Sequence, residues 1–166
     1  MNASELRQLQ QPLKEKYKEQ PETALVTLTA KSTLGEGISC KVDTGKAIAE
    51  AGLHPATGGD GMALCSGDML LEALAACAGV TLKAVAIAIE FDLQDAHITA
   101  EGDLDFRGTL GVDKSASVGF QSIRLKMDLN TSEDEERIAS LLKLTERYCV
   151  VYQTLKQAND ISVVLT

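Results

Sequence analysis

The chain has 166 residues, 45% of them apolar and 24% charged, with a formal charge of −8. That composition suits one soluble globular domain able to bury a real core without disulfide staples. An acidic surface repels phosphate backbones and anionic lipid heads, so nucleic acid and membrane surfaces are disfavoured and neither is expected as a partner.

Residues 1–7 hold no basic start followed by an apolar run, so no signal peptide is read there and a cytoplasmic location is expected. Residues 4–18 are polar and helix-prone although Pro12 interrupts them; residues 1–20 therefore read as an N-terminal arm before a single domain over 21–166. Segments 24–31 and 36–43 alternate apolar and polar residues around Ser32, Thr33, Leu34 and Gly35, which is the signal of a β-hairpin. Residues 44–62 carry five glycines and Pro55 and read as loop, with a short element at 46–50.

The most informative stretch is 66–91. Ser66 is a candidate helix cap, and Asp68 in the first turn complements the helix dipole. From Met69 to Ile89 only Glu72, Thr81 and Lys83 break an apolar run. Such a run is long enough to span a bilayer. It is Ala-rich and carries charges inside it, however, so the expectation is a central helix of a soluble domain, buried on several sides. Segments 97–106 and 118–129 alternate again and predict strands. Ser132 with Glu135 predicts a capping box, followed by a helix buried along Ile138, Leu141, Leu142 and Leu144. A break near Arg147 and Tyr148 leads to a second helix over 149–158, and 161–165 predicts a closing strand. The order ββ-α-ββ-αα-β is α+β with antiparallel sheet.

Four cysteines stand at 40, 65, 77 and 149. Cys77 lies among Ala75, Ala76, Ala78 and Gly79, which suits a small buried hydrophobe or a sulfur that must be approached closely. Cys149 opens the last helix, where free N–H groups and nearby Arg147 favour thiolate; the alternative is a packed core thiol. His54 and His97 are far apart and no Cys-x-x-Cys occurs, so no metal is expected. There is no Gly-x-Ser-x-Gly elbow, and the Gly-rich 57–61 lacks the Lys-Ser/Thr of a phosphate loop.

The run from Asp68 to Cys77 resembles the central helix of the osmotically-inducible-protein-C / organic-hydroperoxide-resistance family, whose reactive Cys follows an acidic residue by nine positions. Residues 147–155 (RYCVVYQTL) are similar to its second Cys motif. The resemblance implies an OsmC-like α+β fold, with antiparallel sheets wrapped around a long Cys-bearing helix in an intertwined homodimer. It also implies a cofactor-free thiol peroxidase for organic hydroperoxides. Cys77 would attack the peroxide and become a sulfenic acid, Cys149 would close a disulfide with it, and an external dithiol of the dihydrolipoyl type would reduce that bond.

Several residues depart from the family pattern. Val150 stands where Pro is common, Asp68 where Glu is usual, Lys31 is the nearest candidate for the family's assisting Arg, and Cys65 is an extra thiol. Nine helical residues put Asp68 about 180° and about 13 Å from its own Cys77. Asp68 is therefore expected to act on the Cys77 of a second chain. Two rival expectations are a non-enzymatic small-ligand or partner-binding protein with buried thiols, and a metal-responsive or redox-sensing module.

Overall fold

A computed structural model describes residues 2–20, 31–34, 39–43, 48–111 and 113–165. In chain order it has α1 (Ala3–Glu19), β1 (Lys31–Leu34), β2 (Ser39–Asp43), β3 (Ile48–Gly52), β4 (Leu64–Cys65), α2 (Ser66–Ala88), β5 (Leu93–Asp103), α3 (Phe106–Thr109), β6 (Ser122–Thr131), α4 (Glu135–Tyr148) and α5 (Val150–Lys156). The class is α+β. The chain divides into two compact units, one of residues 1–12, 73–99 and 125–166, the other of residues 13–72 and 100–124.

In the first unit, Leu82, Val85 and Ala86 of α2, Phe91 after it and Leu141 of α4 form the buried core. Alternate residues of β5 and β6, among them Ala96, Ile98, Met127 and Leu129, pack against it. Period-two alternation delivers one face of each strand, and the spacing of the α2 residues delivers one helical stripe. The rest of α2 is less covered than its composition suggests. Its 18-residue apolar window has a mean hydropathy of 1.8, enough by length and composition to cross a membrane, yet only 28% of it is buried. The expectation of burial on several sides is therefore not met within one chain. A single set of strands and α4 covers one stripe, and Val80, opposite it, stays 74% exposed.

Helix α2 ends in a paired closure in which the Phe91 amide donates to Ala86 O and the Glu90 amide to Ile87 O. Glu90 takes φ 54°, the left-handed conformation that glycine usually supplies there. Arg137 holds this corner: it bonds Glu133 through two nitrogens and donates to the Glu90 carbonyl, with its guanidinium over the Phe91 ring. The cap of α4 is Asp134, which accepts from the Arg137 amide at 2.8 Å, not Ser132. Ser132 instead donates to Asp92, because Thr131, Ser132 and Glu133 are all turned to the backbone or side chain of Asp92.

In the second unit, β1 to β4 form one sheet, antiparallel except for the parallel β3–β4 pair. Lys31 faces Asp43 and Leu34 faces Cys40 across the first pair. Thus Ser32, Thr33 and Leu34, expected in the connection, belong to the strand, while 24–30 and 35–38 lie outside the described residues. Residues 48–52, expected only as a short element in loop, are a full strand registered on β2 from Ser39↔Gly52 to Asp43↔Ile48. The glycine count concealed it. Helix α1 runs through Pro12, and its start is a reciprocal box between Asn2 and Glu5. The strand expected at 161–165 is not formed: Ile161 is 89% and Leu165 100% exposed. A β-prone segment needs an open edge to pair with, and no strand among the described residues takes it.

Candidate functional site

Cys149 is both the last cap of α4 and the first cap of α5, with φ −73° and ψ 107°. That one extended residue breaks the helix where a change of direction was expected. Its amide still donates back to Thr145 O at 2.9 Å, and its carbonyl accepts from the Gln153 amide at 3.0 Å, so both helices are satisfied across the break. Thr145 is fully buried and returns its hydroxyl to Leu141 O at 2.8 Å, which leaves the α4 face beneath Cys149 without an unpaired polar group. Cys149 itself is 1% exposed. Cys77, on α2, is partly exposed, and both thiols are free.

The break turns the first N–H groups of α5 toward Cys77. Burial opposes ionisation of the Cys77 thiol, but the Val151 amide, the Cys149 thiol, the Val150 amide and the Thr81 hydroxyl together outweigh it, and Cys77 is held below the ordinary thiol range. Cys149 moves the other way. Its burial, and the neighbouring Cys77 charge it donates to, push its thiol up against the amides of Tyr152 and Val151. Of the two readings open for Cys149, a helix-start thiolate and a packed core thiol, its burial favours the second. The helix start serves the sulfur it faces, which is the neighbour's, and Arg147 lies over the Tyr148 ring at 5.6 Å.

The arrangement suits a nucleophilic sulfur at Cys77, with a protonated thiol beside it as donor and second sulfur. Thr81, whose hydroxyl bonds the Cys77 sulfur, is a candidate site residue that sequence reading passed over as a break in an apolar run. Its signal was its position one turn after Cys77, where helical side chains meet.

Asp68 is exposed in the first turn of α2 and, nine residues back on a continuous helix, is not brought to Cys77 of its own chain. Lys31 is on β1, with its side chain outside the described residues. Cys65 is a partly buried free thiol on β4. His54 caps the short turn Pro55–Thr57 and stacks on Phe106 at 4.9 Å, so it has a structural task. Among the described residues no three His, Cys, Asp or Glu stand together as a metal site.

A family model described as OsmC-like protein matches residues 58–164. Solved structures of similar fold include an OsmC-like protein from Mycoplasma pneumoniae, with TM-score 0.66, 18% identity, and 79% of this chain and 88% of that chain covered. An organic hydroperoxide resistance protein OsmC from Legionella pneumophila gives TM-score 0.62 and 20% identity over 80% of this chain and 90% of that one. One from Elizabethkingia anophelis gives 0.64 and 16% over 80% and 89%. No curated protein matches the chain. At these identities the structural likeness establishes the fold.

Proposed function

The chain belongs to the OsmC-like protein family, and from that membership and its paired thiols we propose that it is a thiol-dependent peroxidase reducing organic hydroperoxides to alcohols. The observation that carries this reading is the opposite displacement of the two thiols, Cys77 toward thiolate and Cys149 toward thiol, at the break between α4 and α5. Family membership supports a hydroperoxide-related redox role, since several fold neighbours are organic hydroperoxide resistance proteins.

The Cys77 thiolate attacks the terminal peroxide oxygen. The O–O bond breaks, sulfur is oxidised to sulfenic acid, and the alkoxide leaves as alcohol after taking a proton. Loss of the Cys77 negative charge removes one of the causes that hold Cys149 protonated. The α5 amides of Tyr152 and Val151 then favour its thiolate, which displaces hydroxide from the sulfenic sulfur, released as water, and closes the disulfide. An external dithiol, for instance of the dihydrolipoyl type, returns both thiols and leaves as its own disulfide. The apolar residues beside Cys77 in the sequence, Ala75, Ala76, Ala78 and Val80, favour alkyl hydroperoxides over hydrogen peroxide, by roughly 0.8 kcal/mol per buried methylene.

A second copy of the chain completes this proposal. Ala73, Ala76 and Val80 form an exposed small-apolar face on α2, opposite the core stripe. We assign that face to a homodimer in the cytoplasm in which Asp68 of one chain serves Cys77 of the other. Dithiol-dependent loss of cumene hydroperoxide, with peptide mapping of the product, tests the reading. The expected results are turnover and a Cys77–Cys149 disulfide after one equivalent. No turnover with either thiol unmodified would leave a ligand-binding protein with buried thiols in its place.

A further inference from the structure

The chain has five arginines, at positions 7, 107, 124, 137 and 147. Four are spent on carboxylates: Arg7 on Glu90, Arg107 on Asp105 and Asp113, Arg124 on Asp103 and Glu101, and Arg137 on Glu133. Arg147 has no carboxylate partner among the described residues. The acid next to it, Glu146, accepts instead from the Tyr152 hydroxyl at 3.1 Å. In a chain of charge −8 an unpaired guanidinium is out of pattern.

Arg147 opens onto a cleft of about 360 Å³, lined also by Tyr148, Val150, Gln153, Thr154, Gln157 and Asn159. No Asp or Glu lines it. The amides are engaged in holding the wall: Gln153 donates to Glu146 O, Gln157 to Gln153, and Asn159 to the Thr154 and Gln157 carbonyls. Arg147 is thus the one charged residue among those that line the cleft, beside the exposed side chains of Tyr148 and Val150. A planar fork of N–H donors pairs with a carboxylate through two parallel hydrogen bonds, and an adjoining apolar wall takes an alkyl chain. A dianion would need more positive charge than one guanidinium supplies in so acidic a chain.

We propose that this cleft is a binding site for the carboxylate end of an alkyl-chain ligand. Arg147 and Val150 flank Cys149 in the chain, so such a ligand sits against the segment that carries the second thiol. Resting on the peroxidase reading, the carboxylate belongs either to the hydroperoxide, as in a fatty-acid hydroperoxide, or to the reducing dithiol, as in dihydrolipoate.

The full-length reduced protein is titrated with octanoate, and with octanamide as the uncharged control, following backbone amide shifts by NMR. Octanoate is expected to move resonances over 147–159 and to bind at least tenfold more tightly than octanamide, and Arg147→Gln is expected to erase that difference. Equal binding of acid and amide, shifts elsewhere in the chain, or an unchanged Arg147→Gln variant would overturn the site. Because this readout needs no turnover, it stands apart from any failure of the peroxidase reading. In the active protein, Arg147→Gln is expected to raise KM severalfold for one acid. That acid is a fatty-acid hydroperoxide compared with its methyl ester, or dihydrolipoate compared with dihydrolipoamide, and whichever pair responds identifies the source. No change in either pair would overturn the link to the reaction.

Discussion

Arg137 and Arg147 stand near opposite ends of α4, and the two ends are built for different things. Around Arg137 every strong polar group is closed on another: Asp134 caps the helix, Glu133 takes two guanidinium nitrogens, and the Glu90 carbonyl takes a third bond. Around Arg147 the groups are left with capacity. The guanidinium has no carboxylate among the described residues, and the first amides of α5 face a neighbouring sulfur rather than a carbonyl. A closed network resists change, because each group it loses leaves another unsatisfied. The open end retains donors for a charge that appears only when Cys77 ionises. On the proposed reading, stability and reactivity are thus separated along fourteen residues of one helix.

The largest effects that would break this separation lie at the thiols. Cys77→Ser is expected to cut hydroperoxide turnover on the order of a thousandfold or more, while the thermal midpoint moves little. Cys149→Ser is expected to consume one equivalent of peroxide, trap a sulfenic acid and stop. A large fall in thermal stability in either variant would show that the open end also holds the fold.

Thr81→Val removes one donor from the Cys77 sulfur without changing side-chain size. Rate against pH in the wild-type protein should rise through the depressed Cys77 pKa and level off below the ordinary thiol range. The variant should shift that rise to higher pH and lose up to about tenfold in rate at neutral pH. The sign for stability follows the same groups. Because folding lowers the Cys77 pKa, its contribution is present above the unfolded thiol pKa and is lost as pH falls through the folded value. Cys149, raised, contributes below the unfolded pKa and loses this as pH climbs through its folded value. An unchanged profile for Thr81→Val would remove Thr81 from the site.

Asp134→Ala addresses the closed end and should cost about 1 kcal/mol in denaturant unfolding, leaving the rate of Cys77 alkylation as in wild type. Altered alkylation would mean that the two ends communicate through α4. The smallest effect expected is a gain: Glu90→Gly relieves a left-handed backbone and should stabilise by roughly 0.5–1 kcal/mol, provided the Arg137 bond to the residue-90 carbonyl survives. Destabilisation would show that the Arg7–Glu90 pair, 3.6 Å apart, outweighs the strain.

Patterns with strong periodicity were legible from residues alone. Helices α2 and α4 lie where their apolar stripes put them, and the break between α4 and α5 falls at Cys149, beside the expected Arg147 and Tyr148. Two strands were misjudged for local reasons. Residues 48–52 sit in a glycine-rich context that reads as loop, yet β2 supplies an edge for them. Residues 161–165 have strand composition and find no edge. The Ser132 cap was displaced because Asp92, forty residues away, competes for its hydroxyl.

By itself, then, the sequence determined the α+β class and the two helices that carry thiols, which follow from periodicity, where side-chain geometry repeats with the backbone. That Cys77 and Cys149 are the pair to watch came from the resemblance of their two motifs to a known family, not from the spacing of apolar residues. Which thiol is favoured as thiolate was decided only in three dimensions. The N–H groups of α5 are adjacent in sequence to Cys149, but their field falls on the sulfur that the fold sets in front of them, and that is Cys77. That Arg147 has no carboxylate partner among the described residues was decided in the same way, since an ion pair depends on which carboxylates packing brings within reach, and Glu146 was given to Tyr152.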